Sequence, residues 1–337
     1  MCTNAAIQSQ EGHFYWARTM DFPMNFFDNN GVLKYFGKKE PIQFVTEKIT
    51  PSYDFIGMGL GDGNLTVMDG INSEGLVGGL FYFEEFTTAT ESELAKKNKK
   101  PVAINEMVTY FLAQCRTIGD VAYLASQLAV IDKTTTGQPG SAPLHLTFMD
   151  TTGESVILEP DHNGEFTIHR NVTHTMTNSP TYDWHVTNLR NYVNLSGFTI
   201  DQLELGDLII KDIESGSGLL GLPGDYTSPS RFIKITLLTH LMDQPEDKTA
   251  LKDLYRVFNS VIIPKGIEKN TPTISDYTSY WIGYNIEKRE FIMSQEGSLS
   301  FSCDNLDSIR KHFKGKTGEL PFTSEETFKT LTKHRAS

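Results

Sequence analysis

The residue with the most distinctive chemistry in this 337-residue chain is the cysteine at position 2. A small residue at this position permits removal of Met1, which would leave a free α-amine on Cys2 itself. In general α-amines titrate near ~7.7–8.0 and thiols near ~8.5, so such an amine can act as a general base at neutral pH. Cys2 is therefore a candidate nucleophile that carries its own base. The simpler alternative is a buried or incidental cysteine.

Arg18 ends the next predicted strand, 13–18, and Asp21 follows it three residues later. Phe14, Trp16 and Arg18 alternate onto one face of that strand, and an inward-pointing arginine needs a partner. The Arg18 guanidinium could favour negative charge on the sulfur of Cys2, and Asp21 could hold the α-amine. The alternative for this arginine and aspartate is a surface ion pair.

The other chemical motifs in the sequence are weak. The glycine-rich residues 57–63 lack the GxGxxG spacing and no predicted helix follows them, and residues 315–317 lack the earlier glycine of a phosphate-binding loop. The nine histidines show no metal-ligand spacing, and the cysteines at positions 2, 115 and 303 form no CxxC pair. The sequence therefore predicts neither a metal nor a cofactor.

Composition and charge argue against two classes of partner. The chain has 30 Lys and Arg against 42 Asp and Glu, a formal net charge of -12. This balance disfavours nucleic acid and anionic membrane surfaces, which bind concentrated positive charge. The N-terminus lacks a secretory signal pattern, and no apolar run approaches the ~20 residues that cross a bilayer. We expect a cytoplasmic protein with a packed core.

The order of predicted elements favours antiparallel sheets with helices outside them. A polar loop is predicted at 84–101, irregular structure at 185–230, and turns at Asp69-Gly70, Glu74-Gly75 and Asn163-Gly164. Strands are predicted at 5–7, 13–18, within 55–83, and at 144–149, 155–159, 166–169, 278–284 and 290–293, and helices at 104–115, 118–130, 230–242 and 248–260. No linker divides the chain, so we predict one domain over residues 1–337.

Five motifs, in order along the chain, resemble those of the choloylglycine hydrolase family, which contains penicillin V acylases and bile salt hydrolases. The resemblance runs from residue 2 to about residue 293. It implies an α+β fold, the N-terminal nucleophile hydrolase αββα sandwich, with two stacked antiparallel sheets between helical layers. The motifs are Met1-Cys2-Thr3, Ala17-Arg18-Thr19-Met20-Asp21-Phe22, residues 69–76, Met176-Thr177-Asn178-Ser179-Pro180 and residues 221–231.

The resemblance also implies a role for individual residues in the hydrolysis of a linear amide. Cys2, once Met1 is removed, would be nucleophile and base, forming a thioester acyl-enzyme. Arg18 and Asp21 would flank it. The side-chain amide of Asn178 and the backbone N–H of Tyr82 would stabilise the oxyanion, and Arg231 would complete the charged cluster. Without the resemblance, Asn178 is a turn residue before Pro180 and Arg231 a residue at a helix start.

Tyr82 favours the penicillin V acylase branch, because bile salt hydrolases typically carry Asn where it aligns. Met20, Phe22, Met24 and Phe26 would form, with Tyr82, an aromatic-rich pocket for a phenoxyacetyl group, although they could equally be core side chains. Conjugated bile acids, or other N-acyl amides such as acyl-homoserine lactones, are alternative substrates. A catalytically inactive small-molecule binding protein of the same fold is an alternative of another class. Residues 195–221 resemble the extension used in family tetramers, which predicts a homotetramer.

Overall fold

The computed structural model describes residues 1–134 and 140–321. Within these ranges the strands are β1 (Cys2–Gln8), β2 (Phe14–Phe22), β3 (Gly31–Phe36), β4 (Ile42–Gln43), β5 (Lys48–Ile49), β6 (Phe55–Leu60), β7 (Val67–Asn72), β8 (Val77–Tyr82), β9 (Lys100–Val102), β10 (Leu128–Val130), β11 (Leu144–Met149), β12 (Ser155–His162), β13 (Glu165–Arg170), β14 (Thr175–Met176), β15 (Gln202–Leu205), β16 (Leu208–Lys211), β17 (Glu268–Lys269), β18 (Ser275–Asn285), β19 (Glu290–Gln295), β20 (Ser302–Asn305) and β21 (Gly318–Pro321). The α-helices are α1 (Glu91–Lys97), α2 (Met107–Gln114), α3 (Ile118–Ser126), α4 (Tyr182–Asn188), α5 (Ser228–Leu241), α6 (Ala250–Phe258) and α7 (Leu306–His312).

Two antiparallel sheets form the centre of the fold. One has the strand order β14-β1-β2-β18-β19-β20, with β17 paired to β18, and the other has the order β13-β12-β11-β8-β7-β6-β3-β21. The short pairs β4–β5 and β15–β16 are separate antiparallel ladders, and β9–β10 is parallel. Grouped strands with short connections favour this antiparallel arrangement, as predicted.

Three apolar clusters show that the layers follow the order helix, sheet, sheet, helix. Trp16 of the first sheet packs with Ile56 and Ile71 of the second in a core between the sheets. Phe111 and other residues of α2 and α3 cover the outer face of the second sheet. Residues of α5 and α6, such as Leu254, cover the outer face of the first. The predicted α+β class and αββα arrangement are confirmed.

The chain start is an interior strand. β1 lies between β2 and β14, with Cys2 paired to Met20 and Asn4 paired to Met176. Six of its seven residues are buried. Because strand pairing on both sides fixes this segment, the side chain of residue 2 is held in a defined position rather than on a frayed end.

Several predicted elements differ from the structure. The loop predicted at 84–101 contains α1, which begins with a capping box formed by Thr90 and Glu93. The helix predicted at 118–130 ends at Ser126, because the following residues pair as β10 with β9. The segment 185–230, predicted to be irregular, contains most of α4 and the hairpin β15–β16. The prediction of one domain over 1–337 stays a prediction, and it includes positions outside the described residues.

Candidate active site

Cys2 lies in the core between the sheets and is only 5% exposed. Its Sγ accepts a hydrogen bond from Nη2 of Arg18 at 2.8 Å, and the Sδ of Met20 lies 4.0 Å from the same sulfur. The cysteine is free of any disulfide. A charge-assisted donor at this distance stabilises negative charge on the sulfur.

The buried guanidinium of Arg18 is held from several sides. Its Nη1 donates to the backbone oxygen of Met68 at 2.9 Å and lies 3.4 Å from Oδ2 of Asp69. Burial alone would lower the pKa of Arg18, but negative charge on its neighbours, chiefly Cys2, raises the pKa overall. The structure thus places the predicted arginine against the predicted nucleophile, with its charge retained.

Asp69 is the buried counter-ion of Arg18, and the sequence analysis missed it. The turn predicted at Asp69-Gly70 is wrong, because both residues lie inside β7. The hydroxyls of Tyr280 and Tyr284 donate to Oδ2 and Oδ1 of Asp69, each at 2.6 Å. Burial raises the pKa of Asp69, although Arg18 and the two hydroxyls act to lower it. Two tyrosines four apart on one strand face were the available signal for a shared buried partner.

Asn178 lies beside Cys2 because β14 pairs with β1. Its Oδ1 accepts hydrogen bonds from the backbone N–H of Cys2 at 2.7 Å and from Nη2 of Arg231 at 2.9 Å. Its Nδ2 donates to the backbone oxygen of Tyr82 at 2.9 Å. An amide nitrogen carries two hydrogens, so one remains for another acceptor.

Arg231 is the second buried guanidinium of the site and comes from the first turn of α5. Its Nη1 donates to the backbone oxygen of Cys2 at 2.6 Å and to Oγ1 of Thr3 at 2.5 Å, and it lies 4.0 Å from Oδ2 of Asp21. Burial lowers the pKa of Arg231, an effect that the charges of Asp21 and Cys2 oppose. The two arginines therefore contact different atoms of the same cysteine.

The carboxylate of Asp21 is buried and accepts two threonine hydroxyls, that of Thr278 at 2.6 Å and that of Thr19 at 3.0 Å. The chain terminus binds the backbone of this aspartate. The amine of Met1 donates to the backbone oxygen of Asp21 at 2.6 Å, and the backbone N–H of Asp21 donates to the backbone oxygen of Met1 at 2.9 Å. With Met1 in place, the nitrogen of residue 2 is a peptide N–H that contacts Asn178 instead.

Tyr82 ends β8, and its backbone faces the Asn178 side. Tyr82 is opposite Leu144 on β11, and the N–H of the next residue, Phe83, donates to the oxygen of Pro143 at 2.9 Å. Hydrogen-bonded and non-hydrogen-bonded pairs alternate in antiparallel ladders, so the Tyr82 N–H and C=O point away from β11. The Tyr82 carbonyl oxygen accepts a hydrogen bond from Nδ2 of Asn178. The Tyr82 N–H therefore also points toward Asn178.

A cavity of about 390 Å³ reaches Cys2, and all four residues predicted to bind substrate line it. Met20 and Phe26 are buried, whereas Phe22 and Met24 are 43% and 46% exposed. The Tyr82 side chain lines the same cavity and is 45% exposed. The lining is mostly apolar, as in sites that bind small organic molecules.

Two buried histidines lie behind Asn178, and the sequence analysis did not single them out. Nε2 of His185 is 2.9 Å from the backbone oxygen of Asn178, and Nε2 of His145 is 3.2 Å from that of Thr177. Burial lowers the pKa of His185 to about 4. A neutral ring next to a carbonyl oxygen carries its hydrogen on Nε2, so His185 donates to the Asn178 peptide.

No group of three or more His, Cys, Asp or Glu side chains in residues 1–134 and 140–321 is arranged to hold a metal ion. Among the helices of these ranges, none combines the length and apolar character needed to cross a bilayer.

The fold is that of the N-terminal nucleophile hydrolases. A conjugated bile acid hydrolase from Clostridium perfringens matches it with a TM-score of 0.88 and 24% identity, over 98% of this chain and 100% of that chain. A penicillin V acylase from Agrobacterium tumefaciens matches with a TM-score of 0.71 and 18% identity, over 91% of this chain and 86% of that one. The predicted fold is thereby confirmed.

The chain belongs to the linear amide C–N hydrolases of the choloylglycine hydrolase family, whose model matches residues 2–310. A bile salt hydrolase/transferase from Clostridium perfringens is 27% identical over 315 residues, covering 91% of this chain and 94% of that protein. The family membership that the motifs predicted is confirmed.

Proposed function

We propose that the protein hydrolyses N-acyl amides through Cys2, made N-terminal by removal of Met1. The observation that carries this proposal is the position of one atom. The sulfur of Cys2 accepts a hydrogen bond from the buried Arg18 at 2.8 Å, and Cys2 lines an apolar cavity. A nucleophile beside a fixed positive charge, at the wall of a cavity of this kind, is suited to attack a bound carbonyl group.

In the proposed cycle the free α-amine of Cys2 takes the thiol proton while the sulfur bonds to the substrate carbonyl carbon. The second Nδ2 hydrogen of Asn178 and the N–H of Tyr82 donate to the carbonyl oxygen as it becomes negative. The C–N bond then breaks, and the amine passes its proton to the leaving nitrogen. Water loses a proton to the same amine and attacks the thioester, which releases the carboxylic acid and restores the thiol.

Asp21 is assigned to hold the free amine, and Arg231 to hold Asn178 and the Cys2 carbonyl in place. The contacts that support these roles are the 4.0 Å approach of Arg231 to Asp21 and its hydrogen bonds to Cys2 and Asn178. Removal of Met1 would also vacate part of the cavity, because Met1 lines it.

Intact-mass measurement tests this chemistry directly. The purified protein should lack Met1, and brief exposure to an N-acyl amide at low temperature should add the mass of the acyl group to Cys2. The Cys2→Ala protein should remain folded, gain no mass and release no acid. Retention of Met1 together with binding but no turnover would support the catalytically inactive binding protein instead.

For the acyl group, we propose a penicillin V type, phenoxyacetyl, as the first candidate. Its support is the position of Phe22, Met24 and Tyr82, which are partly exposed at the cavity and offer faces on which an aromatic ring can stack. Phenoxymethylpenicillin and glycodeoxycholate should be assayed side by side with the same preparation. A large preference for the bile salt in kcat/KM would overturn this candidate.

A conjugated bile acid is the second candidate. The observation that favours it is the 27% identity to a bile salt hydrolase/transferase along 94% of that protein. The same apolar cavity of about 390 Å³ would also suit a fused-ring acyl group. Acyl-homoserine lactones belong in the same assay, since they present the same type of amide.

We also propose that the protein assembles as a homotetramer and is located in the cytoplasm. The hairpin β15–β16 supports self-association, because Leu203, Leu205, Leu208 and Ile210 fall on one face of it and all four are exposed. The three cysteines are free, as expected in a reducing compartment. Cell fractionation tests the location.

A further inference from the structure

A buried histidine contacts both of the segments that carry the proposed oxyanion donors. Nε2 of His145 lies 3.2 Å from the backbone oxygen of Thr177, the residue before Asn178. The ring of His145 is also stacked on Phe83, the residue after Tyr82, with the ring centroids 4.4 Å apart and the planes 7° apart. Both rings are buried. One side chain on β11 therefore contacts the chain next to each donor.

A carboxylate faces the other nitrogen of this ring. Nδ1 of His145 lies 3.5 Å from Oε1 of Glu159, which also accepts the backbone N–H of Tyr182 at 2.8 Å. Oε2 of Glu159 is 3.0 Å from Nε2 of His169. Burial would raise the pKa of Glu159, but its interactions with His145 and His169 lower the pKa to about 2. Glu159 is therefore an anion at neutral pH.

The two nitrogens of His145 thus face two oxygens that can only accept hydrogen bonds, one from Thr177 and one from Glu159. A neutral imidazole has a single N–H and would turn a lone pair toward one of these oxygens. Nδ1 is buried and has no hydrogen-bond partner among the described residues, so the carboxylate at ion-pair distance is the group that can offset its burial. A ring that is protonated on both nitrogens satisfies both contacts, and a cation is also favoured over the face of Phe83.

We propose that His145 is a positioning residue: as an imidazolium paired with Glu159, it holds the segments of Asn178 and Tyr82 at the separation that lets both donors reach one oxyanion. His145 is not among the residues that line the cavity, so it acts through these segments and not by touching the substrate. This deepens the proposed function and rests on it for the roles of Asn178 and Tyr82. The loss of His145 should weaken the stabilisation of an oxyanion but not the reactivity of the sulfur.

The experiment compares two reactions of Cys2 in a Cys303→Ser background, since Cys303 is exposed. In the first, an aldehyde adds reversibly: the sulfur bonds to the aldehyde carbon, the thiol proton passes to the α-amine, and the oxygen becomes negative at the two donors. In the second, iodoacetamide alkylates the sulfur and releases iodide, and no oxyanion forms. Phenoxyacetaldehyde and the aldehyde analogue of deoxycholic acid are the probes, and the tighter one is used. Its protection of Cys2 against alkylation, followed by mass spectrometry, gives the dissociation constant of the adduct.

His145→Phe keeps a stacked ring and should raise this dissociation constant about tenfold, while the alkylation rate without aldehyde stays unchanged. His145→Gln retains an N–H donor and should recover part of the loss. His145→Phe/Glu159→Gln removes the carboxylate that would be left without its partner, so it should be folded and show the same loss. His240→Phe, on a distant part of α5, is the control and should bind the aldehyde as the unsubstituted protein does.

Nitrogen-15 NMR of the histidine-labelled protein at pH 7, assigned with His145→Phe, should show hydrogen on both ring nitrogens of His145. The proposal is overturned by a neutral ring, by the absence of any aldehyde adduct, or by equal aldehyde affinity with and without His145. It is also overturned if alkylation slows in parallel, because the substitution would then disturb the whole site. An adduct that depends on His145 in a protein that hydrolyses no amide would support this proposal and contradict the proposed function.

Discussion

Nε2 of His185 lies 2.9 Å from the backbone oxygen of Asn178, and its ring stacks on Phe232 with the ring centroids 4.6 Å apart. Phe232 follows Arg231, which itself donates to Asn178. One buried imidazole thus joins the segment that carries the proposed oxyanion donor to the helix that carries the second guanidinium. His185 is not among the residues that line the cavity, so it acts on the reaction only through position.

Replacing His185 with phenylalanine should lower kcat about tenfold with little change in KM, because the stacked ring is kept and one hydrogen bond to the Asn178 peptide is lost. His185→Gln, which retains an N–H donor, should recover part of the loss. Steady-state kinetics on the substrate with the highest turnover provides the measurement. His240→Phe is the control, since His240 also contacts a backbone carbonyl, that of Thr236, but on a distant part of α5. Equal kinetics for His185→Phe and the unsubstituted protein would contradict the assignment.

The same histidine should make the folded state sensitive to acid. Burial lowers the pKa of His185 from 6.5 to about 4, so the unfolded chain binds a proton here more readily than the folded one. The stability that this group contributes is present above pH ~6.5 and is lost as the pH falls toward ~4, up to about 3 kcal/mol. Urea unfolding at several pH values in this range measures how the free energy of unfolding changes with pH, and this change should be smaller in His185→Phe.

Glu159 and His169, which lie near His185, change the stability in other pH ranges or in the opposite direction. Burial would raise the pKa of Glu159, but interactions with His145 and His169 lower it to about 2, so its contribution is lost only below pH ~4.5. Burial would lower the pKa of His169, but Glu159 raises it, so this group favours the folded state at low pH. The free energy of unfolding can thus be compared between pH ~4.5 and ~6.5, where Glu159 contributes no change. If it varies with pH equally in the unsubstituted protein and in His185→Phe, the acid sensitivity comes from another group.

Replacing Arg18 with glutamine should slow alkylation of Cys2 by iodoacetamide about tenfold or more, because the charged donor to the sulfur is lost. The background should be Cys303→Ser, since Cys303 is exposed and would also react. Arg18→Gln leaves Asp69 without its counter-ion, so the double variant Arg18→Gln/Asp69→Asn is included to restore folding while the slow reaction persists. Mass spectrometry at pH 7 gives the rates. Arg116→Gln, at an exposed site, should react at the original rate, and an equally fast Arg18 variant would remove the role given to that guanidinium.

Charging one face of the hairpin β15–β16 should reduce the assembly. Leu205→Lys with Ile210→Lys places two charges on the face that also carries Leu203 and Leu208. Light scattering after size-exclusion chromatography should show a tetramer for the unsubstituted chain and a smaller species for the variant. Glu204→Lys changes the charge on the opposite face and should leave the mass unaltered. A monomer in all three samples would rule out the tetramer.

The residues of the candidate site could be proposed where they lie in short motifs, and the fold could be predicted where it depends on local pattern. Alternation along β2 predicted that Arg18 points inward, and the structure has it fully buried. By contrast, Asp69-Gly70 has the composition of a turn but lies within a strand. Gly70 is needed there because a Cβ would lie 2.5 Å from the backbone oxygen of Ile56 on the neighbouring strand. A single sequence does not distinguish a glycine required by close strand approach from one required by a turn.

Other features that the sequence did not predict depend on contacts between distant segments. β10 forms only because residues 100–102 lie alongside it, so the helical spacing over 118–130 was continued too far. Nothing local to His185 indicates that its ring would lie beside the backbone oxygen of Asn178. Tertiary packing rather than propensity decides these features.

The position of Met1 has a practical consequence for handling the protein. Met1 lines the cavity, and its amine donates a hydrogen bond to the backbone oxygen of Asp21. Any polypeptide fused ahead of it would extend from the cavity wall and would leave Cys2 without the free α-amine that the proposed cycle requires. Affinity tags and immobilisation chemistry therefore belong at the opposite terminus.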